Sequence, residues 1–322
     1  MTPVIGLDLG GTKLAALLVD DERQILHRRW IEHRADGYRA VLDAIVAAVH
    51  DCDAVARAAA VGLAVAGPLD YRRERVLAAL NLGFSDRPLR ADLEALLDRP
   101  VVLENDANAA AVAEHRWGSG ANARCLVLMT LGTGVGGGIV LGGEVLRGAA
   151  GAAAELGHLC VGSDGQRCGC GATGCLELYV SGTALARRAG AGRTSRDVVG
   201  DADRGEPGAR RLLAEAGAFL GHAVTLLAPV IDPDVVVLGG GLAHAAAPHL
   251  LPALRSRLSA GWPFREQRRP AEVRLARCGI DAGALGAAEL ARAEAAAGER
   301  GSDERGPGPH RRVPLVDFAV GQ

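Results

Sequence analysis

One pattern occurs twice in this chain and restricts its fold more than any other feature: an apolar strand, a Gly/Thr turn and a second apolar strand. In the first copy Val4 to Leu9 and Leu14 to Val19 flank Gly10-Gly11-Thr12, and in the second Cys125 to Leu131 and Val135 to Leu141 flank Gly132-Thr133-Gly134. Each copy reads as a β-hairpin. Two halves that open alike predict an internally duplicated α/β fold with a cleft between the copies. A chain of 322 residues is long enough for two such domains.

The remaining pattern fills in both halves. A third strand over 24–31 makes the first hairpin a meander, and a helix over 38–50 puts Val41, Leu42, Ile45, Val46 and Val49 on one face. A buried strand over 59–65, a helix over 90–97, a short strand over 101–103 and a helix over 106–116 complete the first half. In the second half, helices are predicted at 179–190, 207–228 and 243–259, with strands at 235–238 and 271–276 and a last helix at 283–296. The predicted domains are 1–117 and 118–296, with a return of the last helix to the first domain left open. Residues 297–322 are polar and rich in Gly, Pro and charge, and are expected to be a disordered tail.

Composition excludes several classes. Many Ala and Gly with few aromatics predict closely packed helices and strands. A net charge of −2 argues against a nucleic-acid partner. No run of about 18 apolar residues is present, so no membrane span is expected. The start MTPVIGLDLGG lacks the basic region of a signal peptide, so a cytoplasmic location is expected. Lys13 is the only lysine among 36 basic residues. In a background that uses arginine wherever charge alone matters, a lysine beside a glycine turn hints at a specific role.

Seven cysteines are an odd number for a disulfide framework. Cys52, Cys125, Cys160 and Cys278 stand singly among apolar residues and read as small buried hydrophobes. Cys168, Cys170 and Cys175, with His158, follow H-x9-C-x-C-x4-C. Three thiolates and an imidazole form a closed tetrahedral set for Zn²⁺ if they converge, and a closed set is structural rather than catalytic.

The turns Asp8-Leu9-Gly10-Gly11-Thr12-Lys13 and Leu131-Gly132-Thr133-Gly134 let backbone N–H groups and Thr hydroxyls approach phosphate. Asp8 beside them suits a hydrated Mg²⁺. Gly239-Gly240-Gly241, after a buried strand, suits a nucleotide lying on the backbone. Tight hairpins also use glycine for conformational reasons alone, so each turn is weak evidence and three together are stronger. Gly132, Gly134 and Gly137 match G-x-G-x-x-G, but the segment continues as a strand instead of opening a helix, which excludes a dinucleotide fingerprint. No G-x-x-x-x-G-K-[ST] loop occurs.

Acidic residues form the third group. Glu104-Asn105-Asp106-Ala107-Asn108 lies between a strand and an Ala-rich helix, where Glu104 or Asn105 alone could be a helix cap. Glu155 and Glu177 bracket the His/Cys residues, so a folded metal loop would hold both rigidly. Carboxylates and an Asn amide converging on a cleft suit the adjacent hydroxyls of a sugar, and Asn81 could add one more contact.

Together these residues resemble the ROK family, and within it ATP-dependent glucokinases. The resemblance rests on VIGLDLGGTKLAALLVD, LENDANAAAVAEHRWG, LGTGVGGGIVLGGEVLRGAAGAAAELGH, CGCGATGCLE and VVVLGGGL, in that order, and spans residue 4 to about 296. It implies an actin/hexokinase-like (ribonuclease H-like) fold of two α/β domains with a central cleft and an inserted zinc-binding loop at 158–177. It implies a hexose substrate, glucose first, phosphorylated by ATP and Mg²⁺ with Asp106 as general base. Asn81, Asn105, Asp106, Glu155, His158 and Glu177 would bind the sugar, and His158 with the three cysteines would hold structural zinc. Asp8, Gly10, Gly11, Thr12, Lys13, Gly132, Thr133 and Gly134 would face phosphate and metal, and Gly239, Gly240 and Gly241 the adenosine. The family also phosphorylates N-acetylglucosamine, N-acetylmannosamine, fructose and mannose, sometimes from polyphosphate, and its habit is dimers or tetramers. Its repressors carry a helix-turn-helix ahead of the first strand, which is not expected here. Asp106 counts against the other alternative, a non-catalytic sugar-sensing regulator, because a sensor has no need of a base. The stretch 148–154 is more alanine-rich than the family pattern.

Overall fold

Strand β1 (Val4–Leu9) pairs antiparallel with β2 (Lys13–Val19), Val4 opposite Val19 and Leu9 opposite Leu14. This is the first predicted hairpin, seen in a computed structural model that describes residues 2–32, 37–163, 165–263 and 266–301. β3 (Ile25–Glu32) extends the meander. After α1 (Tyr38–Asp53) the chain enters β4 (Val61–Val65), parallel to β1. An unpredicted small hairpin, β5 (Val76–Ala79) and β6 (Phe84–Arg87), precedes α2 (Leu89–Leu97) and β7 (Val101–Asn105). The first sheet has the order β3-β2-β1-β4-β7.

The second sheet repeats this design. β8 (Cys125–Leu131), β9 (Val135–Leu141) and β10 (Glu144–Val145) form an antiparallel meander. The helices α4 (Glu177–Val180), α5 (Gly182–Ala189), α6 (Ser195–Asp203) and α7 (Pro207–Ile231) lead to β11 (Val235–Gly239), parallel to β8. α8 (Gly241–Gly261) and β12 (Glu272–Leu275) finish the order β10-β9-β8-β11-β12. The helix expected over 179–190 is two helices, because Ser181 breaks it: its Oγ accepts the N–H of Ala184 and caps α5. α6 was not expected, although Thr194 and Asp197 form a capping box at its start.

α3 (Asp106–Arg116) joins the halves and is buried along Ala107–Glu114, packed on strands of both sheets and on the last helix. The small side chains of its alanines let both sheets come close, while the buried Asn108 and Glu114 are the polar exceptions on this enclosed helix. The last helix, α9 (Ala282–Gly301), returns to the first sheet and packs on β1 and β4. The approach is so close that a Cβ at Gly62 would stand 1.9 Å from the carbonyl oxygen of Ala287. The Ala/Gly-rich composition is therefore a packing device. α9 runs to Gly301, past the expected start of the tail at 297, with no proline there and without ending at Gly298. The rest of the predicted tail, 302–322, lies outside the described residues.

α7 is long and apolar enough by composition to cross a membrane, although residues such as His222 and Thr225 interrupt its apolar run. Its buried residues, among them Leu213, Leu220 and Val224, instead join the core of the second half against α8. Of the four cysteines expected to be buried, Cys52 and Cys125 are, whereas Cys278 is half-buried and Cys160 is exposed. Cys160 forms an extended bridge with Cys175, and its neighbours Leu159 and Val161 are the residues that pack against the core, which leaves Cys160 on the outer side.

Candidate active site

The junction of β7 and α3 builds the centre of the cleft. Asn105 is the N-cap of α3, its Oδ1 accepting the N–H groups of Ala107 at 2.9 Å and Asn108 at 3.2 Å. The cap and binding readings of Asn105 are thus compatible: Oδ1 is used by the helix, and the amide nitrogen, which also serves the Asp106 carboxylate, has a second hydrogen to donate. Asp106 opens the helix, and its Oδ1 accepts the N–H of Ala107 at 2.8 Å. Burial raises the Asp106 carboxyl, and the charge of Glu155 adds to the rise against the pull of the Ala107 N–H. Asp8, on β1, is pushed up to about 7 by burial and then by Asp106. It lies against the first turn of α9, where a Cβ at Gly283 would be 2.4 Å from its Oδ2.

Three cavities run along this cleft. The first, about 40 Å³, is lined by Asn105, Asn108, Glu155, Gly137 and the loop residues Gly151 to Ala153. The second, about 220 Å³, is lined by Asp8, Asp106, Thr130, Gly239 and Gly240. The third, about 650 Å³, brings Gly132 and Gly241 together with Thr194 and Ser195 of α6. Asn105 and Asp106 link the first two, and Gly240 and Gly241 the second and third. The order is one that would place a small polar ligand, a phosphate chain and a flat ring system end to end.

The glycine turns are held by specific contacts. In the first, the N–H of Gly10 donates to the Lys13 carbonyl at 2.9 Å, while Thr12 and Lys13 are exposed. Gly11 lies against Asn81, whose Cβ would be 3.1 Å from a Cβ at position 11. In the second, the Gly132 N–H donates to the Gly134 carbonyl at 3.0 Å, and the Gly182 N–H, at the start of α5, donates to the Gly132 carbonyl at 2.8 Å. The Thr183 hydroxyl donates to the Thr133 carbonyl at 2.9 Å. Glu177 sits on this turn, with its Oε2 accepting the N–H of Val135.

His158, Cys168, Cys170 and Cys175 converge, with their ligand atoms all within 4.8 Å of one another. Cys168 Sγ is 3.6 Å from His158 Nδ1, and Cys170 Sγ is 3.7 Å from Cys175 Sγ. A tetrahedron with metal–sulfur bonds of about 2.3 Å has edges of about 3.7 Å, so the donor set fits such an ion. Burial, with the neighbouring Cys170 and Cys168 thiols, pushes the Cys175 thiol up to about 12, whereas a hydrogen bond from the Ala172 backbone lowers that of Cys170.

Two residues here were not legible as site residues. Glu104, read as a cap at most, is 3% exposed and forms an ion pair with Arg147 at 2.8 Å. Asn108 donates through Nδ2 to Glu104 Oε1 at 3.1 Å, and among the described residues its buried Oδ1, in the first cavity's wall, has no partner. The alternation of ENDAN could have drawn attention to Asn108, but Arg147 lies 43 residues from Glu104 and carries no local signal. Asn81, His158 and Glu177 are at the turns and the cysteine cluster rather than among the residues lining the first cavity.

The model of the family described as ROK matches residues 4–294. The chain belongs to the ROK family. It is 38% identical over 307 residues to a glucokinase of Streptomyces coelicolor, a match covering 88% of this chain and 96% of that protein. Its fold is similar to a ROK hexokinase from Thermus thermophilus, with 40% identity and a TM-score of 0.83 over 92% of this chain and 99% of that one. A ROK glucokinase from Streptomyces griseus, solved in complex with glucose and AMPPNP, is 37% identical with a TM-score of 0.76 over 90% of this chain and 99% of that one. The two repeated sheets are those of the actin/hexokinase-like α/β kinase fold that this ROK chain shares with them.

Proposed function

We propose that this sugar kinase transfers the γ-phosphoryl group of ATP to the 6-hydroxyl of a hexose, glucose first, with Asp106 as the general base. The observation that carries the reading is the position of Asp106. Its chain neighbour Asn105 lines the small polar cavity with Glu155, and Asp106 itself lines the next cavity with Asp8, Thr130 and Gly240. A base at that seam can take a proton from a hydroxyl on one side while the phosphoryl group arrives from the other. The 38% identity to glucokinases supports glucose as the sugar.

Phosphoryl transfer proceeds through a loose transition state, so the protein's work is to position groups and neutralise charge. Asn105, Glu155, His158 and Glu177 would hold the sugar hydroxyls, with Asn81 at the edge of the cleft. The turns at 10–13 and 132–134 would direct N–H and hydroxyl groups at the phosphates, and Gly239 to Gly241 would lie along the adenosine. Asp8 would hold Mg²⁺, which when bound would offset phosphate charge. Zinc on His158, Cys168, Cys170 and Cys175 would be structural, fixing Glu177 just after the last cysteine. His158 would use one ring nitrogen for each role. The cleft would close between a first domain of 1–117 with α9 and a second formed by the sheet of β8 to β12, excluding water. We also propose a dimer or tetramer in the cytoplasm, as in the family at large.

An N-acetylated hexose is the second reading, because Gly151, Ala152 and Ala153 put only small side chains on one wall of the first cavity. A coupled ADP-release assay with ATP and Mg²⁺ over hexoses and N-acetylhexosamines tests both. Turnover of glucose well above the rest supports the first; turnover confined to N-acetylated sugars supports the second. Silence on every sugar defeats the kinase reading.

A further inference from the structure

One side chain touches both walls of the small cavity. Arg147, in the segment after β10, donates from Nε to Glu104 Oε2 on β7 at 2.8 Å. The other oxygen of Glu104 accepts the backbone N–H of Asn105 and the amide of Asn108, both at 3.1 Å. The residues on either side of Asp106 are therefore tied to a carboxylate whose counter-charge comes from the opposite half of the fold. The same arginine begins the facing wall. Its carbonyl accepts the N–H of Ala153 at 3.0 Å, closing the loop that ends in Glu155. That loop turns at Ala154, which holds a left-handed φ of 67°, and the Ala154 carbonyl accepts the N–H of Leu156 at 2.7 Å.

We infer that Arg147 is a positioning residue that keeps the Asn105–Asp106 segment and Glu155 in register across the cavity, and so sets how strictly the site reads its sugar. The inference rests on the sugar-kinase reading above. Without Arg147, Glu104 is a buried carboxylate that loses its one hydrogen-bonded counter-charge among the described residues and keeps only the unbonded charge of Arg73, a loss the structure must relieve by moving it or by protonating it. Either change loosens the Asn105 and Asn108 bonds and frees the start of the 148–155 loop. A displacement on the ångström scale at reacting groups costs up to about 100-fold in rate. An ion pair that served stability alone would lower the melting temperature and leave sugar and ATP parameters of the folded enzyme equally untouched.

The test is steady-state kinetics, with sugar and ATP varied in turn, on Arg147→Gln, Arg147→Lys and the double variant Glu104→Gln/Arg147→Gln. Arg147→Gln is expected to lower kcat/KM for the sugar by roughly 10- to 100-fold. KM for ATP is expected to stay within about twofold, and the preference for glucose over mannose and N-acetylglucosamine to narrow. Arg147→Lys should recover part of the loss, since it restores charge without the planar fork. Unchanged sugar kinetics and selectivity in folded Arg147→Gln overturn the inference, as does an equal rise in both KM values. If Arg147→Gln does not fold, the double variant, which buries no net charge, decides by the same criteria. An unaltered protein inactive on every sugar would defeat the kinase reading itself, whereas an active one with an indifferent Arg147 defeats this inference alone.

Discussion

The Glu177 carboxylate accepts the backbone N–H of Val135 at 2.9 Å, binding the loop of the cysteine cluster to the second glycine turn. Gly134 makes room for it: a Cβ there would stand 2.6 Å from Glu177 Oε2. A residue proposed to hold the sugar is thus anchored on the turn proposed to face phosphate, and it follows Cys175 of the cluster by two positions.

Gly134→Ala should therefore disturb both substrates together. The added methyl meets the end of a side chain, so the protein should fold while Glu177 is displaced. KM for sugar and for ATP are both expected to rise, by roughly tenfold or more, with a change in stability of about 1–3 kcal/mol at most. Kinetics and a thermal melt on the same preparation check this; a rise in one KM alone would separate the turn from the carboxylate.

Asp106→Asn keeps shape and removes the base. Turnover is expected to fall by about 10²- to 10⁴-fold, with glucose binding by calorimetry close to that of the unaltered enzyme. Parallel loss of binding would assign Asp106 to holding the sugar and leave the base unidentified.

Cys168→Ala removes one corner of a tetrahedral set. Zinc content by atomic emission is expected to drop from about one per chain towards zero, with sugar KM raised because Glu155 and Glu177 flank the loop. Activity and metal content equal to those of the unaltered protein would remove zinc from the account.

Asp8 predicts opposite responses of stability and activity to pH. Its folded-state value of about 7 lies above the 3.8 of the unfolded chain, so between these the folded protein holds a proton that the unfolded one has released. Stability from this group is present at low pH and falls as pH rises through that window. Without Mg²⁺ and nucleotide, the melting temperature at pH 5.5 relative to 7.5 should be higher in the unaltered protein than in Asp8→Asn. Activity, under the proposal that an ionised Asp8 holds Mg²⁺, should rise over the same range. Identical melting profiles for the two proteins would show that Asp8 titrates normally.

The sequence was legible wherever the signal was local. Gly10 to Thr12 and Gly132 to Gly134 marked both hairpins because a tight turn needs its residues in succession. The spacing of His158 and the three cysteines marked a cluster for the same reason. What stayed hidden was made by contacts across the chain: Glu104 looked like a helix cap until Arg147 was seen opposite it. α6 was missed although Thr194 and Asp197 spell its cap, because its neighbours are polar and the apolar period is short. Gly62 gave no hint of its use, since the helix that needs the space, at Ala287, lies near the other end of the chain.

That contact carries a consequence for how the molecule is made. Every strand of the second sheet lies between Cys125 and Leu275, so this half is complete before the ribosome has released the last helix. The first sheet is translated earlier, yet the face that α3 covers only in part stays open until α9 emerges and settles on β1 and β4. The half that is synthesised first must then be the half that matures last, and a chain truncated before residue 282 should leave its N-terminal sheet exposed to chaperones and proteases.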